Sequence, residues 1–145
     1  MSPVDPRRRL EAIARALSIG RARRHVFVCV PSCPRCAPAG VGERSWKHLK
    51  KRLKELGLDS PPPWWRGEPL EELPETPAGT GRVLRSKVDC LRICEQGPIV
   101  VVYPEGVWYR GVDEQVRERI VTEHLVEGRP VAEHVFAVAP LDPSG

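Results

Sequence analysis

Residues 89–112 read DCLRICEQGPIVVVYPEGVWYRGV, and this stretch decides the fold. The runs at 99–103 and 107–109 are short, apolar and rich in β-branched and aromatic residues. Pro104, Glu105 and Gly106 separate them, so the pattern predicts a β-hairpin. Immediately upstream, Cys90 and Cys94 form a C-x3-C pair. RVLRSKV at 82–88 predicts a strand leading into that pair, which therefore lies in a strand-to-strand loop.

Working outward, HVFVCV at 25–30 predicts a buried strand that delivers Cys29 at its end. The following PSCPRCAPAGVG at 31–42 is a Pro- and Gly-rich loop carrying Cys33 and Cys36. From Glu43 onward, Trp46, Leu49, Leu53 and Leu56 recur at i, i+3, i+7 and i+10 among lysines and Arg52. This spacing predicts an amphipathic helix stopped by Gly57. Residues 58–81 hold six prolines with Trp64 beside Trp65, and read as an irregular excursion within one domain. The paired tryptophans are expected to cover a gap in the nearby core. Asp113 caps a second helix bearing Val116, Ile120, Val121 and Leu125, ended by Gly128. The expected order is β-α-β-β-β-α, which the extended stretch VAEHVFAVA at 131–139 could lengthen by a terminal strand. Near the start, Leu10, Ile13, Ala14 and Leu17 predict a short helix ending at Gly20, docked or frayed on the surface.

At 145 residues and 16.2 kDa the chain fits one domain. Its 41% hydrophobic and 29% charged residues exclude a wholly disordered chain. It contains no apolar run near the roughly 18 residues of a membrane span, and no signal-peptide core. A cytoplasmic protein is expected. Of the net charge of +4, residues 1–24 contribute seven arginines against Asp5 and Glu11. The remainder holds sixteen basic and seventeen acidic residues. The basic character thus belongs to an arm, and such an arm is weak support for nucleic-acid binding. The expected organisation is a basic helical arm at 1–24, a domain at 25–138 with its insertion at 58–81, and a tail at 139–145.

Five cysteines, an odd number without an export signal, argue against a disulfide scaffold and for metal or redox chemistry. Four thiolates from two separated loops can enclose one metal centre. Zinc would suit Cys33-x2-Cys36 with Cys90-x3-Cys94. A [2Fe–2S] cluster tolerates other spacings, although neither the plant-type nor the bacterial ferredoxin run is present. Spacing alone fits both metals equally. Cys33-Pro-Arg-Cys36 also admits a dithiol oxidoreductase, but Ala37 to Gly42 separate it from the helix, and Cys29, Cys90 and Cys94 would lack a role. His25, His48, His124 and His134 are scattered and read as structural or surface residues. Phosphate-loop, dinucleotide and hydrolase-elbow motifs are missing from the sequence.

HVFVC at 25–29, a loop cysteine before an amphipathic helix, the 89–112 stretch and EHLVEGRPV at 123–131 resemble the thioredoxin-like [2Fe–2S] ferredoxins. The resemblance spans 25–57 and 82–136, with its specific part from Cys90 to Tyr109. It implies an α/β, thioredoxin-like sheet flanked by helices, here with a Pro-rich insertion. It implies one [2Fe–2S] cluster bound by Cys29, Cys36, Cys90 and Cys94, with Cys33 as the alternative to Cys36. The implied function is one-electron transfer between a donor and an acceptor redox protein, not enzymatic turnover. Related folds form a peripheral subunit of the respiratory complex that oxidises NADH, so a subunit role is compatible. A homodimer follows by analogy with the family, with Trp108 as either an interface anchor or a core residue. Arg35, Arg92 and Lys87 lie near the ligands in sequence, where they serve equally as tuning cations or as ordinary solvated charge. The readings outside this family are a zinc-stabilised binding module with a basic arm and the Cys33/Cys36 dithiol.

Overall fold

The β-branched runs of the sequence become a mixed five-stranded sheet in the computed structural model, which describes residues 5–16, 22–30, 37–59 and 81–141. Strands β1 (Arg24–Cys29), β2 (Val83–Val88), β3 (Val100–Tyr103), β4 (Val107–Tyr109) and β5 (Val135–Val138) align in the order β2-β1-β3-β4-β5. β1 and β2 are parallel, and every other pair is antiparallel. The predicted hairpin is β3–β4, with Val101 opposite Trp108. The terminal strand forms too, adding β5 to the open edge of β4.

Alternation along each strand sends one set of side chains toward the helices. Val26, Val28, Val83, Val100, Val102, Val107 and Tyr109 meet Trp46, Leu49 and Leu53 of α2 (Val41–Glu55). They also meet Val116, Ile120, Val121 and Leu125 of α3 (Glu114–Arg119), which continues as a π-helical turn through Ile120–Val126. A polar clasp joins the two helices: Arg117 donates to His48 Nδ1 at 3.0 Å and to Ser45 Oγ at 2.9 Å. Arg52 adds a bidentate pair to Glu118 at 2.8 and 2.9 Å.

The structure departs from expectation at the helix ends. α2 begins at Val41, two residues before Glu43, from Gly40 in the left-handed region. Its last predicted core position, Leu56, is 41% exposed, and Leu58 is buried in its place. The cause is local: Gly57, at φ 65°, turns the chain, with Gly57 N–H bonding to Lys54 O and Leu58 N–H to Leu53 O. Those two bonds close the helix and fold Leu58 back under it. Asp113 caps α3 as predicted, its carboxylate accepting from Val116 N–H at 2.9 Å. The amino-terminal helix α1 (Pro6–Ala16) forms with Leu10 exposed. Its expected stop at Gly20, and Leu17, lie outside the described residues, as do Trp64, Trp65 and all of 60–80.

Gly106 in the hairpin turn sits at φ 66°, and its carbonyl accepts from Ala139 N–H at 2.8 Å. A Cβ there would overlap the Ala139 carbonyl. Gly106→Ala is therefore expected to cost about 2–3 kcal/mol through left-handed strain and displacement of the segment after β5. A urea titration followed by circular dichroism measures it; an unchanged midpoint would refute the assignment.

Candidate metal centre

Cys29, Cys90 and Cys94 lie where β1 and β2 end and β3 begins. Cys29 is the last residue of β1, buried, and its N–H bonds to Ile99 O at 3.0 Å. Val30 N–H then bonds to Val88 O at 2.7 Å, holding the end of β1 against the end of β2. The loop between β2 and β3 carries Cys90 and Cys94. It is pinned at its far side by Gly111 N–H to Gln96 O at 2.7 Å and Val112 N–H to Pro98 O at 3.1 Å.

Within C-L-R-I-C the apolar residues alternate with Arg92. Leu91 and Ile93 pack with Val88 and Trp108 against buried Cys29 and Ile99, making a small apolar cluster on the sheet face away from the helices. Arg92 points outward, exposed, at φ 68°. The alternation thus anchors the loop beside Cys29 while reversing the chain at its apex. Cys29 Sγ lies 3.8 Å from the Asp89 carbonyl oxygen, one residue before Cys90. Cys90 Sγ and Cys94 Sγ stand 3.9 Å apart, and Arg92 N–H donates to Cys90 Sγ at 3.1 Å.

That separation matches thiolates on one metal ion. Two sulfurs bound tetrahedrally at about 2.3 Å are about 3.8 Å apart, whereas a disulfide brings them to about 2.05 Å. The donor set fits a thiophilic centre in chemistry and in this one edge. Cys90 and Cys94 are brought together; Cys29 stands beside their loop without joining them. Among the described residues no three His, Cys, Asp or Glu side chains converge to hold a metal. Cys33, Cys36 and Arg35, in the 31–36 segment, lie outside the described residues. Lys87, near the ligands in sequence, pairs with Glu43 of α2 at 3.7 Å.

A second polar constellation escaped the sequence reading. His124 is wholly buried beneath the sheet, with its ring between Tyr109 and Glu105. Val131 N–H donates to Tyr109 Oη at 3.0 Å, and Tyr109 and His124 Nδ1 are 2.8 Å apart. With Oη accepting from Val131, the Tyr109 proton is directed at Nδ1, and Nε2–H donates to Glu105. Arg24 closes the chain on Glu105 at 3.1 and 3.2 Å. Burial pushes the Tyr109 phenol up to about 12 and holds His124 below its ordinary value, against the opposing pull of Glu105. One signal could have found it: His124 stands four residues after Ile120 and three after Val121, on the buried face of the same helix.

No protein-family model matches the chain. The chain is 32% identical over 115 residues to "Ferredoxin, 2Fe-2S" of Aquifex aeolicus (strain VF5), covering 79% of this chain and 89% of that protein. Over 52 residues it is 48% identical to "Ferredoxin, 2Fe-2S" of Clostridium pasteurianum, covering 36% of this chain and 51% of that protein. Among solved structures, a thioredoxin-like [2Fe–2S] ferredoxin from Aquifex aeolicus superposes with a TM-score of 0.57 at 27% identity. That superposition covers 86% of this chain and 97% of the other.

Proposed function

This chain belongs to the thioredoxin-like [2Fe–2S] ferredoxins, and from that membership we propose that Cys29, Cys36, Cys90 and Cys94 hold its cluster. The protein is an electron carrier with one [2Fe–2S] cluster, not an enzyme. The observation that carries the ligand reading is the 3.9 Å Cys90–Cys94 separation in a loop packed on Cys29. Cys36 supplies the fourth thiolate, with Cys33 as its alternative. The zinc module and the Cys33/Cys36 dithiol are not favoured by these likenesses.

When bound, the cluster supplies a one-electron redox couple. Held by four thiolates, two ferric irons and two sulfides would carry a total charge of −2, which one electron would take to −3. The chain's own residues divide the remaining work. Leu91, Ile93, Ile99 and Trp108 exclude water on the Cys29 side. Cys90, which is exposed, lies toward solvent, the side from which a donor or acceptor redox protein approaches.

The working unit runs over 25–138, with 1–24 as a basic arm, 58–81 as an excursion and 139–145 as a tail; β5 ending at Val138 supports the last bound, whereas β1 already starts at Arg24 and Leu58 packs in the core. Among the described residues no helix is long and apolar enough to cross a membrane. A cytoplasmic location is the reading that suits Cys29, Cys90 and Cys94 standing outside any disulfide. Nucleic acid is not a partner in this reading. A homodimer is supported by Trp108 and the 40% exposed Phe136, whose rings lie 6.3 Å apart on the sheet face away from the helices. Light scattering at micromolar concentration should return twice the 16.2 kDa chain mass; a monomer removes the dimer.

Anaerobic purification tests the whole reading. A red-brown protein with two irons and two sulfides per chain is expected. A colourless protein with one stoichiometric zinc would reject it.

A further inference from the structure

We propose that Arg92 is the positioning residue of the cluster loop: its left-handed backbone returns Cys94 to Cys90, and its N–H is a donor to the Cys90 sulfur. The inference rests on the ligand reading above and concerns a residue that binds no iron. Three observations on the loop carry it.

Arg92 has φ 68°, a region that side-chain-bearing residues seldom occupy. It is the middle residue of the three between the two cysteines, so a reversal at that point brings the second sulfur back to 3.9 Å from the first. Leu91 and Ile93, on either side, are committed to the apolar cluster around Cys29 and Ile99. The reversal must therefore fall on residue 92, whose own side chain is exposed and unconstrained by packing.

The second consequence is electronic. Arg92 N–H reaches Cys90 Sγ at 3.1 Å, a short distance for a donor to sulfur. Backbone donors to ligand sulfurs stabilise the more negative state of an iron–sulfur centre, because the added electron density is shared with the thiolates. The bond accordingly favours the reduced cluster and shifts the potential to more positive values. The guanidinium is not required for this, since the donor is the main chain.

The test uses the full chain, reduced and labelled with 15N-arginine. Electron–nuclear double resonance should show a 15N coupling to the cluster in the native protein, together with an exchangeable deuteron coupling after transfer to D2O. In Arg92→Gln the 15N coupling should fall, leaving at most what Arg35 contributes, while the deuteron coupling stays, since glutamine keeps the N–H. Arg92→Gly, free to adopt positive φ, should keep a full complement of iron. Arg92→Val, β-branched and averse to that region, should lose much of it. Arg92→Pro, whose ring locks φ at about −65° and which lacks the N–H, should lose at least as much iron as the valine variant. If the proline variant does not fold, the native and Arg92→Gln spectra still decide. A native cluster without 15N coupling, a coupling unchanged in Arg92→Gln, or equal iron content in the valine and glycine variants would overturn the inference. A native protein without iron would instead overturn the ligand reading.

Discussion

Replacing Cys29, Cys90 or Cys94 by serine is expected to abolish the native visible spectrum or change it beyond recognition. Serine offers a harder oxygen donor on a shorter bond, while the centre is held by soft thiolates. The three sites should differ in what remains. Cys29 is buried at a strand end and fixed by Ile99 O, so its backbone has little room to bring a substitute ligand. Cys90 and Cys94 sit in a loop, where a serine oxygen can be drawn in, and residual altered spectra are expected there. Cys36→Ser should behave like the ligand variants, and Cys33→Ser should leave the absorbance and the reduced-state paramagnetic signal nearly unchanged. Iron content and visible spectra of the five variants check this directly. Loss in Cys33→Ser with a normal Cys36→Ser would exchange the two assignments. Survival of both single variants and loss only in the double would show that either thiol can serve.

His124→Ala is expected to cost about 3 kcal/mol, read as a lower urea midpoint. The side chain is wholly buried, and its removal leaves a void beside Leu125 and Tyr109. It also strips Tyr109 Oη and Glu105 of a partner, although Glu105 keeps Arg24 and is one-third exposed. Tyr109→Phe should cost less, about 1–3 kcal/mol, because Val131 N–H and His124 Nδ1 lose a partner while packing is kept.

The same network sets the response to acid. Glu105, Arg24 and Tyr109 face the His124 ring. Burial holds the folded His124 below the ordinary 6.5, so the unfolded chain binds a proton first as the pH falls. Stability from this source is complete above pH 6.5 and declines as the pH drops through the interval below it. His25 and His48, also lowered mainly by burial, contribute in the same window. Glu105, lowered from 4.5 by its bonds to His124 and Arg24 despite burial, extends the loss below that value. His124→Ala should therefore shrink the decline beginning near pH 6.5 without removing it. An unchanged stability profile in that variant would contradict the neutral, buried histidine.

Much of this protein is decided by local chemistry that residue order alone expresses. Short continuous apolar, β-branched runs made β1, β3 and β4 legible, and Pro104-Glu105-Gly106 fixed the hairpin between β3 and β4. Trp46, Leu49 and Leu53 at helical spacing marked α2, and Asp113 marked the start of α3, because caps and periodicity act within a few residues. The C-x3-C pair and the strand-end Cys29 carry the family resemblance, and that resemblance implies them as three of the proposed ligands. Other features depend on segments far apart in the chain. Leu91 and Ile93 pack on Cys29 only because β1 and β3 are neighbours in the sheet, and no spacing reports that adjacency. The left-handed Arg92 carries no sequence signal, since glycine is the residue that usually marks such a turn. Glu105, His124 and Tyr109 look like ordinary polar positions until hairpin and helix close over them and Arg24 arrives from β1. Local propensity therefore determined the elements. Tertiary packing decided which thiols meet and which charges are buried, because desolvation and metal-edge distances exist only once distant segments exclude water together.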